Sequence, residues 1–567
     1  MIKRLTSFFQ FVILVSSFVF AQQVYANANP EDTLPKVERA KPTASSPVDI
    51  KRPTESVDPK LQQLLATKLT VENFDIQGVK SIPFEEVNAV FKPYLNQSLT
   101  LKEVIDLASN VTKIYANKGY PLSFAYIPAQ DFSHHKVTVL VIEGYVGTVS
   151  LKGDFGPTES KIRSIVEPML QEKPLTQKTM ERSNSLLSLV PGLAIQASLQ
   201  LPERRDGASE LKIVASRKLI SAGLNLESLK PVARAVITVQ GGGQTAAAEQ
   251  FSFSTLASQQ DEEYYAASYS QMIGSKGLVL RLNSSMYQGN SDGQLPSGLT
   301  RDIFSLRLSS SLSYPILINR NESLIGTVAL STTNYEDKIQ SQDTFRSITQ
   351  KTNSRALSVG AAYSTLSASQ SRRLQLTLTK GLDILGASKS AKTNFAFNQK
   401  LVNPDNIDFT KLNLSLSQNN AFSYGLGTAI SLNAQYSDNQ LPLSERIQFG
   451  GYQYGRAFAP GFLSGDSGWG LALELNKQLP VFYDFSYFKL VAIQPYALFE
   501  SARTIQNFEA IDRTNIERMT SIALGLRLKA DVGGTVDLSL AKALSSKSLN
   551  NAPNDVTFSM NYGLLLN

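Results

Sequence analysis

The sequence predicts an α+β chain: two small periplasmic modules followed by a transmembrane antiparallel β-barrel of 16 strands. Three observations carry this. A secretory leader opens the chain, a strand-helix-helix-strand-strand unit then occurs twice, and from about residue 219 the helical period gives way to strict alternation.

The leader spans residues 1–28. Lys3 and Arg4 precede the apolar run FFQFVILVSSFVF (8–20), and ANA (26–28) supplies small residues for cleavage, with a cut after Ala21 as the alternative. The apolar run is too short to span a bilayer as a helix, and no later stretch reaches eighteen unbroken apolar residues. Loss of Lys3 and Arg4 lowers the formal charge from +7 to +5. That mild charge, with no basic run, excludes a nucleic-acid partner. The 567 residues contain no cysteine, which fits the periplasm or outer membrane.

Residues 29–68 contain Pro30, Pro35, Pro42, Pro47 and Pro53 among Ser, Thr and Lys, a composition that predicts an extended, solvated linker. A short helix is expected over 58–68, and 29–57 shows no amphipathic period that would make a plug helix. The first module, 69–145, reads as a strand over 69–79, a helix over 83–95 and a second helix that starts at Thr100. Glu103, three positions on, completes a capping box. Val104, Leu107, Val111 and Ile114 recur at helical spacing, Gly119 ends the helix, and two strands follow. The second module, 146–217, repeats that order.

The region 218–567 alternates. Leu374, Leu376 and Leu378 share one face, as do Leu412, Leu414 and Leu416, and Ile522, Leu524, Leu526 and Leu528, with polar residues between. Sixteen such segments over 349 residues average about 22 each, room for a tilted ten-residue strand and its turn. The alternative is a large soluble β-sandwich or propeller. Against it, the inward set is Ser, Thr, Asn, Gln, Lys and Arg, and the segment 556–566 keeps an apolar face to its end. In lipid, only a closed barrel satisfies every strand edge.

Between two of these segments lies GGYQYGRAF (450–458), then SGDSGW (464–469), in a long loop at about 443–469. With the modules and strands, these stretches resemble the TpsB transporters of two-partner secretion, the haemolysin/haemagglutinin secretion-activation family. In that family two POTRA domains precede a sixteen-stranded barrel. YANKGYPLSFAYIPAQD (115–131) with VTVLVIEG (137–144) is similar to the first POTRA signature, and LLSLVPGLAIQASLQ (186–200) to a turn of the second. The resemblance implies that the sixth extracellular loop folds into the lumen. Arg456 and Phe458 would be its tip, with Gly450, Gly451, Gly465 and Asp466 in the same loop. The family's tip is Val-Arg-Gly followed by an aromatic; here Gly455 and Ala457 flank the arginine. The implied acidic partner of Arg456 is Glu500 in LFESA (498–502), where the family has aspartate. A bidentate grip between them would contribute about 1–3 kcal/mol. Asn567 stands where the family commonly ends in an aromatic.

The implied function is export of a secreted partner exoprotein from the periplasm across the cell outer membrane. That partner would be an adhesin, a cytolysin, a contact-dependent toxin or a haem-binding protein. The candidate partner-binding residues are Tyr115, Tyr120, Leu122, Phe124, Tyr126 and Gln130. A barrel-assembly insertase and a passive diffusion porin are the rival readings. The chain is expected to be monomeric and to contact membrane lipids. No catalytic residue, cofactor or metal is expected: His134 and His135 are the only histidines and stand adjacent in a polar turn, and there is no nucleophile elbow or phosphate loop.

Overall fold

The computed structural model describes residues 30–34, 49–51, 65–132, 134–202, 206–229, 232–258, 261–290, 299–341, 346–394, 403–485, 488–508, 513–531, 533–547 and 555–566. The first module is a three-stranded sheet in which Lys136–Ile142 pairs in parallel with Asn73–Gln77 and antiparallel with Phe124–Tyr126. The helices Phe84–Phe91 and Leu101–Asn117 supply its buried face through Val87, Phe91, Val104, Leu107 and Val111. The capping box forms: the Thr100 amide donates to Glu103 Oε2 at 2.6 Å, and the Glu103 amide to Thr100 Oγ1 at 3.3 Å. The expected strand over 69–79 is two strands, Lys68–Val71 and Asn73–Gln77. The chain turns at Glu72, whose amide leaves the strand to donate to His135 O at 2.8 Å. Lys68–Val71 pairs instead with Gln97–Thr100.

Glu143 ties the module's ends together. Its Oε1 accepts from the Lys80 amide at 2.8 Å, the Ser81 amide at 2.7 Å and the Tyr115 hydroxyl at 2.9 Å, and Oε2 accepts from the Ser81 hydroxyl at 2.7 Å. Burial pushes this carboxyl up, but those four donors outweigh burial and hold it below the usual glutamate range.

The second module has the expected order: Tyr145–Gly153, the helices Glu159–Gln171 and Gln177–Leu187, then Leu193–Gln200 and Ala208–Arg217. It is fastened to the first by backbone bonds from Leu175 N to Gly144 O at 3.0 Å and from Gln177 N to Gly119 O at 2.7 Å. The linker expectation needs correction. Residues Asp49–Lys51 form a strand parallel to Ser198–Gln200, at the edge of the second module's sheet. Lys68 is in a strand rather than a helix, and 58–64 of the expected helix lie outside the described residues.

The remaining strands close into a barrel of sixteen staves. Gln370–Gly381 and Ser388–Thr393 form one interrupted stave, since both pair with Ser347–Leu366. Ser467–Lys477 and Leu479–Phe485 form another against Phe488–Phe508. Closure comes from Ile220–Leu229 pairing antiparallel with Thr557–Leu566, from Ala222 opposite Leu566 to Leu229 opposite Ser559. Alternation sorts the two faces: Leu374, Leu376 and Leu378 point outward and are exposed, whereas lumenal Glu500, Thr504 and Ser521 are fully enclosed. The second module sits against one barrel end. Lys161 Nζ donates to Met272 O at 3.0 Å and Gly274 O at 2.9 Å, and Met272, Ala248 and Ile318 join the module's own apolar cluster.

Glu143 sets a pH test. Its lowered pKa makes its stabilisation complete above the unfolded value of about 4.3, and that stabilisation is lost as pH falls through the lower folded value. Hydrogen exchange on the intact chain is expected to show the Leu101–Asn117 helix losing protection as the pH falls below about 4.3. Glu143→Gln should cost about 1 kcal/mol of protection at neutral pH and remove that acid step.

Candidate functional site in the barrel lumen

The loop between Leu426–Tyr436 and Ser467–Lys477 leaves the barrel end opposite the modules and turns back into the lumen. Asp466, fully buried, anchors its base. Its Oδ1 accepts from the Leu441 amide at 2.8 Å, its Oδ2 from the Asn507 amide at 2.6 Å, and Arg446 Nε stands 3.2 Å from Oδ1. Gly465 presses on the wall so closely that a Cβ there would lie 2.8 Å from Ile505 O. A short ladder, Ile447–Phe449 with Leu463–Gly465, carries the chain inward. Gly450 and Gly451 then reverse it at φ 115° and 83°, with their amides donating to Tyr454 O at 2.8 Å and Phe458 O at 3.0 Å. A side chain at Gly450 would collide with Ala459 O.

This geometry puts Arg456 against the wall with 4% exposure. Its backbone amide donates to Glu500 Oε2 at 2.7 Å, and the Ser521 hydroxyl donates to the same oxygen at 3.0 Å. The guanidinium goes elsewhere. Nη1 donates to the Tyr496 hydroxyl and to Ser539 Oγ at 3.3 Å, and lies 3.5 Å from Asp537 Oδ1. The Tyr452 ring lies under it, 4.1 Å from the guanidinium carbon to the ring centroid. The pairing expected of Glu500 is therefore corrected: Asp537 is the charge partner and Glu500 takes the loop backbone. Glu500 is so close to the arginine's own amide that the long side chain necessarily extends past it.

Asp537 is a shared node. Tyr496 OH donates to its Oδ1 at 2.5 Å, Arg527 Nε to its Oδ2 at 2.9 Å, and the Tyr452 hydroxyl also donates to Oδ2. Arg527 in turn grips Glu474 in two places, at 2.7 and 2.6 Å. Phe458, 1% exposed, packs on Phe462 with ring centroids 4.8 Å apart and on wall residues Leu498, Met519 and Ala523. Sequence reasoning missed Glu474, Tyr496, Arg527 and Asp537. The available signal was charge in the inward phase of strands that are otherwise apolar on the other face.

A second segment occupies the lumen, against the expectation of a solvated linker. Residues Pro30–Thr33 form a 3-10 turn. Glu31 accepts from Ser285 at 2.5 Å and Ser305 at 2.8 Å, Asp32 is held by Arg307 at 2.8 and 3.2 Å, and Arg234 donates to Thr33 Oγ1 at 3.0 Å. Leu34 is buried with Tyr287, Ile303 and Tyr335. Arg307 also donates to Ser444 O at 3.0 Å, so one side chain holds both the N-terminal turn and the folded-in loop. A polar cavity of ≈ 1230 Å³ remains among Asp32, Leu34, Tyr452, Gln453, Arg527 and Asp537.

The candidate partner-binding residues divide. Tyr115 and Leu122 are fully enclosed, one bonded to Glu143 and the other packed in the second module's core, so neither meets a partner in this conformation. Gln130 is engaged as a strand rung, accepting from Thr138 N at 2.8 Å and donating to Thr138 O at 2.9 Å. Tyr120 stands edge-on to Tyr115, with centroids 6.1 Å apart. Phe124 and Tyr126, 5.9 Å apart, alternate with buried Ala125 on the outer strand of the sheet.

Comparison with known proteins fits this architecture. The family described as "POTRA domain, ShlB-type" matches residues 69–144, and "Haemolysin secretion/activation protein ShlB/FhaC/HecB" matches residues 243–528. The chain is similar to the heme/hemopexin transporter protein HuxB of Haemophilus influenzae, 22% identical over 483 residues and covering 82% of each chain. Among solved structures, CdiB from Escherichia coli superposes with a TM-score of 0.66 at 16% identity, covering 92% of this chain and 95% of that one. BamA from Haemophilus ducreyi lacking POTRA domains 1-3 gives 0.53 at 14% identity, covering 88% and 100%. At those identities the likeness is one of fold.

The geometry ranks two substitutions. Asp537→Asn should weaken the hold on the loop by about 2 kcal/mol, a roughly 30-fold rise in the open fraction seen as single-channel openings in a planar bilayer. Glu500→Gln keeps an acceptor for the Arg456 amide and should shift it less. The reverse ranking would return the guanidinium to Glu500.

Proposed function

The chain belongs to the haemolysin secretion/activation protein ShlB/FhaC/HecB family, and from that premise we propose how its parts divide the work of export. It is an outer-membrane transporter that moves a secreted exoprotein from the periplasm to the cell surface by two-partner secretion. The periplasm supplies no nucleotide, so transfer must run on binding and geometry.

We assign recognition to the first module. Its outer strand, Phe124–Tyr126, pairs with no further strand on its outer side among the described residues, and an extended partner segment adds there by displacing the Thr112 hydroxyl that accepts from the Ala125 amide at 3.0 Å. Backbone bonds provide affinity, and the Phe124 and Tyr126 side chains provide choice. The second module, tied to both the first module and the barrel, hands the segment to the lumen. The loop around Arg456 then moves aside, the partner threads unfolded, and folding outside makes transfer one-way. The partner is a haem-binding protein or a contact-dependent toxin, or an adhesin or cytolysin of similar extended build. No catalytic step is assigned.

The single observation that carries this reading is that the chain's own loop lies across the lumen, held at Arg456 by a few polar contacts rather than by strand pairing. A stopper of that kind can leave without dismantling the wall.

Two measurements test the assignment. Arg456→Ala should leave a heat-modifiable, membrane-inserted barrel and cut export about tenfold or more. Export at the parental level would sink the role given to the loop tip. Deletion of 69–217 should abolish export while ion conduction persists; a porin or an export route independent of the modules would leave secretion intact.

A further inference from the structure

The outer wall carries a charge pattern that neither the loop nor the modules use. Near the rim opposite the modules, four adjacent strands bring Trp469, Arg503, Arg518 and Lys547 into one cross-strand row. Trp469 lies opposite Arg503, Arg503 opposite Arg518, and Arg518 opposite Lys547. Directly opposed residues share a face. Here that face is the lipid side: Phe499, Ile522 and Leu524 share the row's phase and are exposed, while Glu500, Met519 and Ser521, in the other phase, are enclosed. The three cations are exposed, and among the described residues none of them makes an ion pair or hydrogen bond.

Like charges set directly opposite each other destabilise a ladder. Three in succession, on a wall that meets lipid, therefore call for an anion on the outside. A single charge does not answer them: neighbouring strands stand about 4.8 Å apart, so the row spans about 10 Å. Just below it, the same strands form an apolar groove of ≈ 730 Å³ lined by Leu473, Phe499, Ile522, Leu524 and Leu540, with Lys542 at its side. Ile522 and Phe499 lie four residues from Arg518 and Arg503, about 13 Å along the strands. An acyl chain seated in that groove would carry its headgroup to the row. Trp469, 39% exposed, flanks the row at the level where amphipathic rings settle.

We propose that this face is a binding site for a bisphosphorylated glycolipid of the outer leaflet, with acyl chains in the groove and its phosphates across Arg503, Arg518 and Lys547. Two phosphates match three cations in charge and span, and the arginine forks match phosphate oxygens. A two-chain glycerophospholipid such as phosphatidylglycerol offers one singly charged phosphodiester. The site braces from outside the strands that present Tyr496, Glu500 and Asp537 to the loop.

The test is native mass spectrometry of the full chain in detergent, titrated separately with bisphosphorylated lipid A, phosphatidylglycerol and inorganic phosphate. Bisphosphorylated lipid A should be retained at least tenfold more than phosphatidylglycerol, and millimolar inorganic phosphate should not displace it. The triple variant Arg503→Gln, Arg518→Gln, Lys547→Gln should lower retention roughly 100-fold, about fivefold for each cation removed. Arg518→Lys keeps the charge without the fork and should lose about threefold. Heat-modifiable mobility on gels checks that each variant is a closed barrel. Equal retention by a closed triple variant, equal binding of phosphatidylglycerol, or displacement by phosphate would each overturn the proposal.

Discussion

Inside a hydrocarbon layer no water is present to satisfy a backbone amide or carbonyl, and each one left unpaired costs several kcal/mol. A sheet that crosses the membrane must therefore have no edge. In this chain the requirement is met where Ile220–Leu229 pairs with Thr557–Leu566, joining the first stave to the last across more than 300 residues of sequence. Once that seam closes, strand pleating does the rest. Every second residue faces lipid and every other one faces a wet hole, so the leucines of 374–378 and the carboxylates of 474, 500 and 537 fall on opposite sides of one wall.

A wet hole of this size is a permeability problem, and the chain fills it with itself. Neither filling segment is extensively paired with the wall as a strand, so both are held by side chains. The loop is held through Arg456, Asp537, Tyr496 and the apolar seat of Phe458; the N-terminal turn is held through Arg307, Arg234 and the pocket of Leu34. Buried ion pairs have the right character for this. Their net contribution is modest because desolvation offsets attraction, yet breaking one strands a charge, so the filled arrangement is specific without being irreversible. Arg307, touching both segments, makes their positions interdependent.

The two modules act as one body with respect to the barrel. Backbone bonds at Leu175 and Gln177 join module to module, and Lys161 and the Met272 cluster join the second module to the periplasmic turns. A segment bound to the first module is thereby held near the mouth it must enter. The strand at 49–51 sits on the second module's sheet edge, whereas the turn at 30–34 sits inside the lumen.

Local chemistry alone determined a good deal of this protein. The capping box at Thr100, the stop at Gly119, the repeated module order and the alternation along the barrel strands follow from periods and caps that operate over a few residues. The glycine-rich loop and its arginine were equally plain to read. What the arginine meets was not. Asp537 is 81 positions away and reaches Arg456 only because closure curls its strand beside the loop tip, and Glu500, the nearer acid by motif, is taken by the backbone. The turn at 30–34 lies still further from its partners: Asp32 and Arg307 are separated by 275 residues, and proline spacing predicts an extended segment rather than a 3-10 turn lodged in the lumen. The cationic row on the outer wall exists only in the register that sets Arg503, Arg518 and Lys547 opposite one another. Period and capping are properties of neighbours along the chain, whereas charge partnership across a lumen is a property of the closed sheet, and only the tertiary structure decides it.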